Sequence, residues 1–138
     1  MTKPFLLFAI KCSVIVYFAA CTSIEHYSKA ISASPFMTNG TWKVKLYQDT
    51  HNNTTNEFGG YTFTFDKSGY VDANKNGVNV RGNWVEDDIS KKITIDIKAN
   101  DPILSKLNTN WTITNISSSE VSLQNKSIDN IKMEISSL

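Results

Sequence analysis

Histidine, cysteine and arginine are nearly missing from this chain of 138 residues, which holds two His, two Cys and a single Arg, Arg81. Each shortage excludes something. His26 and His51 have no carboxylate or nucleophile at a fixed spacing, so no catalytic triad can be assembled from them, and no His/Cys spacing matches a zinc site. Both cysteines, Cys12 and Cys21, fall near the N-terminus, so everything after residue 21 is without a thiol. Packing and hydrogen bonds, not disulfides, must hold the fold. Charge of one sign is also lacking: 14 basic and 13 acidic side chains give a formal net charge of +1, and like charges never run beyond two or three residues. Such a chain has no electrostatic footprint for nucleic acid. Long apolar runs are missing too. The uncharged stretch Cys12 to Ala20 is nine residues, against about 20 for a membrane-spanning helix.

What is present at that end has a secretory pattern: a basic tip with Lys3 and Lys11, a short apolar run, then small residues. The run ends in FAACTS, Phe18 to Ser23, which resembles a bacterial lipobox with Phe18 where that motif prefers Leu. The resemblance implies that the Cys21 thiol takes a diacylglyceryl group, that a peptidase cuts between Ala20 and Cys21, and that the new amino terminus is acylated. Two or three acyl chains then hold the protein stably to a membrane. Ordinary secretion with cleavage near Ala20, or an uncleaved N-terminal anchor, would be the alternatives. The expected organisation is a lipoprotein signal peptide (1–20), a lipidated tether (21–38) and one folded domain (39–138), placed in the bacterial cell envelope and anchored at the outer membrane. Within the tether, residues 22–37 show no sustained period and carry the turn signal Ser34-Pro35.

From Gly40 onward the period becomes two. Trp42, Val44 and Leu46 share a face opposite Lys43 and Lys45; Tyr61, Phe63 and Phe65 oppose Thr62 and Thr64; Val78, Val80, Gly82 and Trp84 oppose Asn79, Arg81 and Asn83. The alternation returns at Ile93–Ile97, Trp111–Ile113, Val121–Leu123 and Ile131–Ile135, and a short strand at Tyr70–Ala73 brings the count to eight. Eight strands spaced about 12 residues apart predict an antiparallel sandwich or barrel built from hairpins. The turns agree: Asp66-Lys67-Ser68-Gly69, Asn74-Lys75-Asn76-Gly77 and Asp87-Asp88-Ile89-Ser90. In DPILSKL, Asp101 to Leu107, an N-cap Asp precedes Pro at the first helical position, which predicts a short helix plugging one barrel end. Six N-x-[ST] triplets, beginning at Asn39, Asn52, Asn53, Asn110, Asn115 and Asn125, follow from the Asn/Ser/Thr-rich composition and read as polar strand faces.

The G-x-W triplet Gly40-Thr41-Trp42 at the first strand resembles the first-strand signature of the lipocalins, and a second, Gly82-Asn83-Trp84, lies in the fourth. With FGGYTFTFDKSGYV (Phe58 to Val71) and LNTNWTI (Leu107 to Ile113), residues 40–124 resemble small lipocalin-like lipoproteins of Bacteroidota. The resemblance implies an all-β fold, an eight-stranded antiparallel up-and-down barrel with one short helix between strands five and six. It implies that Gly40 and Trp42 form the closed barrel end. A pocket in such a barrel would be walled by Tyr61, Phe63 and Trp84, with the Tyr61 hydroxyl orienting a small apolar ligand.

No catalytic residue, metal ligand or cofactor is expected. DKSGYVD lacks the glycine at position six and the glutamate at position twelve of a calcium-binding EF-hand loop. Glu86-Asp87-Asp88 reads as a solvated loop that discourages edge pairing. Two functions fit: a lipid-anchored module with a shallow cup for a small apolar ligand, or a filled barrel that meets another protein at the envelope surface. Six inward aromatics favour a nearly full interior, because an eight-stranded barrel holds either its own side chains or one small ligand.

Overall fold

The structure, a computed structural model, describes residues 32–127 and 129–138. Helix α1 (Ser34–Met37) leads into β1 (Trp42–Gln48); a 3-10 turn at Thr55–Phe58 precedes β2 (Tyr61–Phe65); then come β3 (Tyr70–Lys75), β4 (Val78–Asp87), β5 (Lys92–Asp96), helix α2 (Pro102–Ser105), β6 (Thr109–Ile116), β7 (Glu120–Asn125) and β8 (Ile131–Ser137). The eight strands form a closed antiparallel barrel in chain order, with β1 also pairing to β8. Fold class, strand number and the helix between strands five and six all agree with the expectation from sequence.

Alternation does most of the work. Tyr61, Phe63 and Phe65, then Val71 and Ala73, Trp84, Ile93, Ile95 and Ile97, Val121 and Leu123, and Met133 and Ile135 are buried in one continuous core, while the intervening polar residues face outward. Tight turns join the strands. Asn76 and Gly77 adopt φ of 53° and 80°, the two-residue turn whose twist matches the flanking strands and whose positive φ Asn and Gly tolerate. Gly82 serves a different purpose. It faces inward on β4 where β5 crosses so closely that a Cβ would lie 2.6 Å from the Asp96 carbonyl oxygen and 2.7 Å from Ile97 Cα.

Two β-bulges break the parity. The β1–β8 register shifts between Val44 and Leu46, so it is Tyr47, 5% exposed, that turns inward. Leu46 is only half-buried. A second shift between Ile113 and Asn115 lets Ile116 pack against the core. Val78 departs from expectation as well: the alternation of β4 is right, but its first residue, paired with Lys75 beside the β3–β4 turn, is 66% exposed.

The ring is uneven. β1 pairs with β8 at six positions but with β2 only at Trp42↔Phe63. Beyond that pair the returning chain fills the gap, with the Thr54 amide donating to the Tyr47 carbonyl (3.0 Å) and the Tyr47 amide to Thr55 Oγ1 (2.8 Å).

Both ends are stoppered. At the end where the chain enters, α1 buries Ala33 and Met37 completely. The folded part thus begins before the boundary read at residue 39, and Ser34-Pro35 opens a helix; Pro suits the first helical turn because its missing N–H needs no partner there. Glu86 holds this segment, accepting hydrogen bonds from Ser32 Oγ (2.8 Å), the Ala33 amide (2.6 Å) and the Ser34 amide (2.8 Å). It is therefore a strut within β4 and not part of a solvated loop. The opposite end is closed by α2, whose Leu104 is fully buried and is followed by Leu107, and by Phe58 from the 3-10 turn. Asp101 caps α2 by accepting from the Ile103 and Leu104 amides, as its sequence position predicts.

Candidate functional site: a filled interior between two closed ends

The expected pocket walls do not meet around a space. Tyr61 begins β2 at the α2 end, stacked on Phe63 at a centroid distance of 6.1 Å, with Lys75 Nζ 4.5 Å above its ring. Its hydroxyl, expected to orient a ligand, donates instead to the Asp101 carboxylate. That bond holds the Asp101 carboxyl below the usual range, assisted by the α2 amides, and pushes the Tyr61 phenol up to about 12. Trp84 lies at the other end. Its ring meets Phe65 edge-on at 5.4 Å, and its Nε1 donates to the Asp66 carbonyl at 3.0 Å. Phe63 sits between the two, paired with Trp42 across the β1–β2 seam.

Between these residues the barrel leaves a void of only about 10 Å³, walled by apolar side chains including Val44, Phe63, Phe65, Ile95, Leu107 and Met133. Holding one water requires about 10–15 Å³ and polar partners as well. The wall supplies none, so this void has no place for a ligand. Among the described residues no buried side-chain nitrogen or oxygen lacks a partner. Even Asn125, the buried polar side chain of the core, is occupied by Thr109 Oγ1 and the Ser127 amide.

Gly40 and Trp42 lie at the start of β1, next to α1. Trp42 is fully buried, and its Nε1 donates to the Met37 carbonyl at 2.9 Å, tying β1 to α1 across the closed end. Gly40 is needed for backbone reasons: φ is 108°, and nothing lies within 4 Å of where its Cβ would be. Sequence reading missed the α1–Glu86 contact, although a buried-type pair, Phe36-Met37, right after Pro35 was a usable signal.

The large surface concavity, about 570 Å³ and open to solvent, lies beside α1, with Trp84 at its floor and Ser34, Thr38, Lys67, Glu86 and Asp88 around it. Its charged rim does not suit an apolar ligand. Elsewhere the outer wall carries ordinary ion pairs: Arg81 grips Asp72 through two bonds of 2.8 and 2.9 Å while lying over Tyr70, and Lys45 bridges Glu120 and Glu134. His51 is exposed. Among the described residues no three His, Cys, Asp or Glu side chains gather as a metal site would require, and no helix is long and apolar enough to cross a membrane. Cys21 and His26 lie outside the described residues.

No protein-family model matches the sequence, and no curated protein matches it. Solved structures do. A DUF4847 family protein from Bacteroides vulgatus superposes with a TM-score of 0.58 at 13% identity, covering 76% of this chain and 96% of that one. A lipocalin-like protein from Bacteroides uniformis gives 0.55 at 17% identity, covering 73% and 98%. An uncharacterized protein from Bacteroides eggerthii gives 0.51 at 14% identity, covering 72% and 98%. At such identities the likeness concerns architecture, and it agrees with the closed ring of eight strands: the chain has the eight-stranded lipocalin-like barrel of these Bacteroides proteins.

Proposed function

We propose that the protein is a lipid-anchored, non-catalytic component of the bacterial cell envelope whose barrel is a solid scaffold displaying its outer surface to another protein, and not a carrier of small apolar molecules. The observation that carries this reading is the interior: about 10 Å³ of dry void between two stoppered ends. A carrier needs roughly 300–1,000 Å³ with a few convergent polar groups. The anchor rests on Ala19-Ala20-Cys21 at the end of a short apolar run, and the outer membrane is the expected site.

The test combines two measurements on protein expressed with its own signal in a bacterium. Cys21→Ser should move the protein from the membrane to the soluble fraction; retention in the membrane would refute the anchor. The detergent-extracted wild type, examined by native mass spectrometry, should carry covalent acyl groups and nothing else. A stoichiometric non-covalent lipid or other small molecule, lost in Phe63→Arg while the fold persists, would instead restore the carrier reading.

A further inference from the structure

Five large apolar side chains are exposed among the described residues, and they are not spread evenly. Tyr70 (42%), Val85 (62%), Ile89 (94%) and Leu138 (69%) all lie at the barrel end stoppered by α1; Val78 alone is at the other. Ile89 stands out. It occupies the tip of the β4–β5 turn, where the Asp87 carboxylate folds back onto the Ile89 amide, the Ser90 amide and the Ser90 hydroxyl. This leaves the Ile89 side chain pointing away from the body of the protein.

The acids near this tip are largely committed to the backbone. Asp66 accepts from the Ser68 and Tyr70 amides, and Glu86 is taken up by residues 32–34. Lys67, Lys91 and Lys92 are exposed around the same rim, beside the exposed Asp87 and Asp88 carboxylates. An apolar tip ringed by lysines suits the boundary between acyl chains and phosphate head groups, where lysine stems lie along apolar surface and their ammonium groups reach outward.

The same end receives the anchor-bearing chain. Ser32 is pinned there by Glu86, which leaves the ten residues Thr22 to Ile31 to reach back to Cys21, a span of at most about 36 Å when fully extended. Turning the opposite end to the bilayer would spend most of that length running down a barrel wall about 20 Å tall. We propose that the α1 end of the barrel is the membrane-facing surface, with Ile89 inserted at the bilayer boundary and the α2 end presented away from it. This rests on the lipid-anchor reading above.

The experiment uses full-length, lipidated protein reconstituted into phosphatidylethanolamine/phosphatidylglycerol vesicles. Acylated Cys21 leaves the mature chain without a free thiol, so nitroxides can be placed singly on Ile89→Cys and on Val78→Cys, both exposed positions that tolerate the change. Electron paramagnetic resonance should show the label at position 89 several-fold less accessible to a water-soluble nickel chelate, and more accessible to oxygen, than the label at position 78. Equal nickel accessibility at the two positions in acylated protein overturns the orientation and leaves the anchor reading standing. Absence of acyl groups from the mass spectrum of the same preparation overturns the anchor reading and this inference together.

Discussion

Gly82→Ala places a methyl group where β4 and β5 cross. The added Cβ would lie 2.6 Å from the Asp96 carbonyl oxygen, 2.7 Å from Ile97 Cα and 2.8 Å from Ile97 Cγ1, whereas ordinary contact begins at 3.4 Å. Two of the three atoms are main chain, so no rotamer change can make room. The end of β5 must move outward by about 0.6–0.8 Å, disturbing the Asn83↔Asp96 pairing and the fully buried Ile97. Overpacking by one carbon in a rigid surround costs about 1–3 kcal/mol. Alanine returns about 0.5–1 kcal/mol because glycine loses more conformational freedom on folding. At the middle of these ranges the net loss is about 1 kcal/mol, which in a domain near 100 residues lowers Tm by about 4–8 °C. Thermal unfolding followed by near-ultraviolet circular dichroism measures it directly. An unchanged or raised Tm would refute the close approach of β4 and β5, and with it the explanation for glycine in the second G-x-W triplet.

Trp42→Ala should cost about 3–5 kcal/mol, as truncation of buried aromatics does, since the ring is fully buried and its Nε1 holds the Met37 carbonyl; a urea midpoint that barely moves would show that α1 and the closed end do not depend on it. Acid should weaken the α2 closure. The Asp101 carboxyl is held below its ordinary value by the Tyr61 hydroxyl and the α2 amides, so its contribution is present above about pH 4, the unfolded value, and is lost as pH falls through the folded value. The urea midpoint of Asp101→Asn should therefore fall less between pH 4 and pH 2 than that of the wild type, and parallel curves would refute the coupling. At the alkaline limit the sign reverses: with its pKa pushed up to about 12, Tyr61 contributes stability below pH 10 that is lost as pH rises towards 12, and Tyr61→Phe should flatten that limb.

The barrel was legible because seven of its strands write their inward face as alternating apolar residues, and because turns such as Asn76-Gly77 admit few other conformations. What was not legible depends on three-dimensional coincidence. The bulge between Val44 and Leu46 arises from pairing with β8, about 90 residues away in the chain, and nothing within WKVKLYQ announces that Tyr47 will replace Leu46 on the inner face. The positions of the candidate pocket walls along the barrel were hidden for a related reason. Tyr61, Phe63 and Trp84 do share the inner face, but strand alternation says nothing of height along the barrel, and the staggered register puts Tyr61 and Trp84 at opposite ends. Residues 32–38 were read as tether because four helical residues give no periodic signal; their order comes from Glu86 on β4, a partner more than 50 positions away.

The uneven ring also fixes the order in which the chain can finish. From β2 to β8 every strand pairs with the one just made, so those ladders form between neighbours in sequence. β1 is the exception: it is the first strand to emerge, yet six of its seven pairings with other strands are supplied by the last. Closing Trp42 against Ser137 joins residues at almost opposite ends of the domain, and the entropy of that long loop must be overcome at this step. Until β8 exists, β1 stays an open edge carrying Trp42, Val44 and Tyr47 with little to cover them. A chain wired this way cannot complete its barrel before β8 has been delivered, so the last of the eight strands to arrive is the one that locks the first.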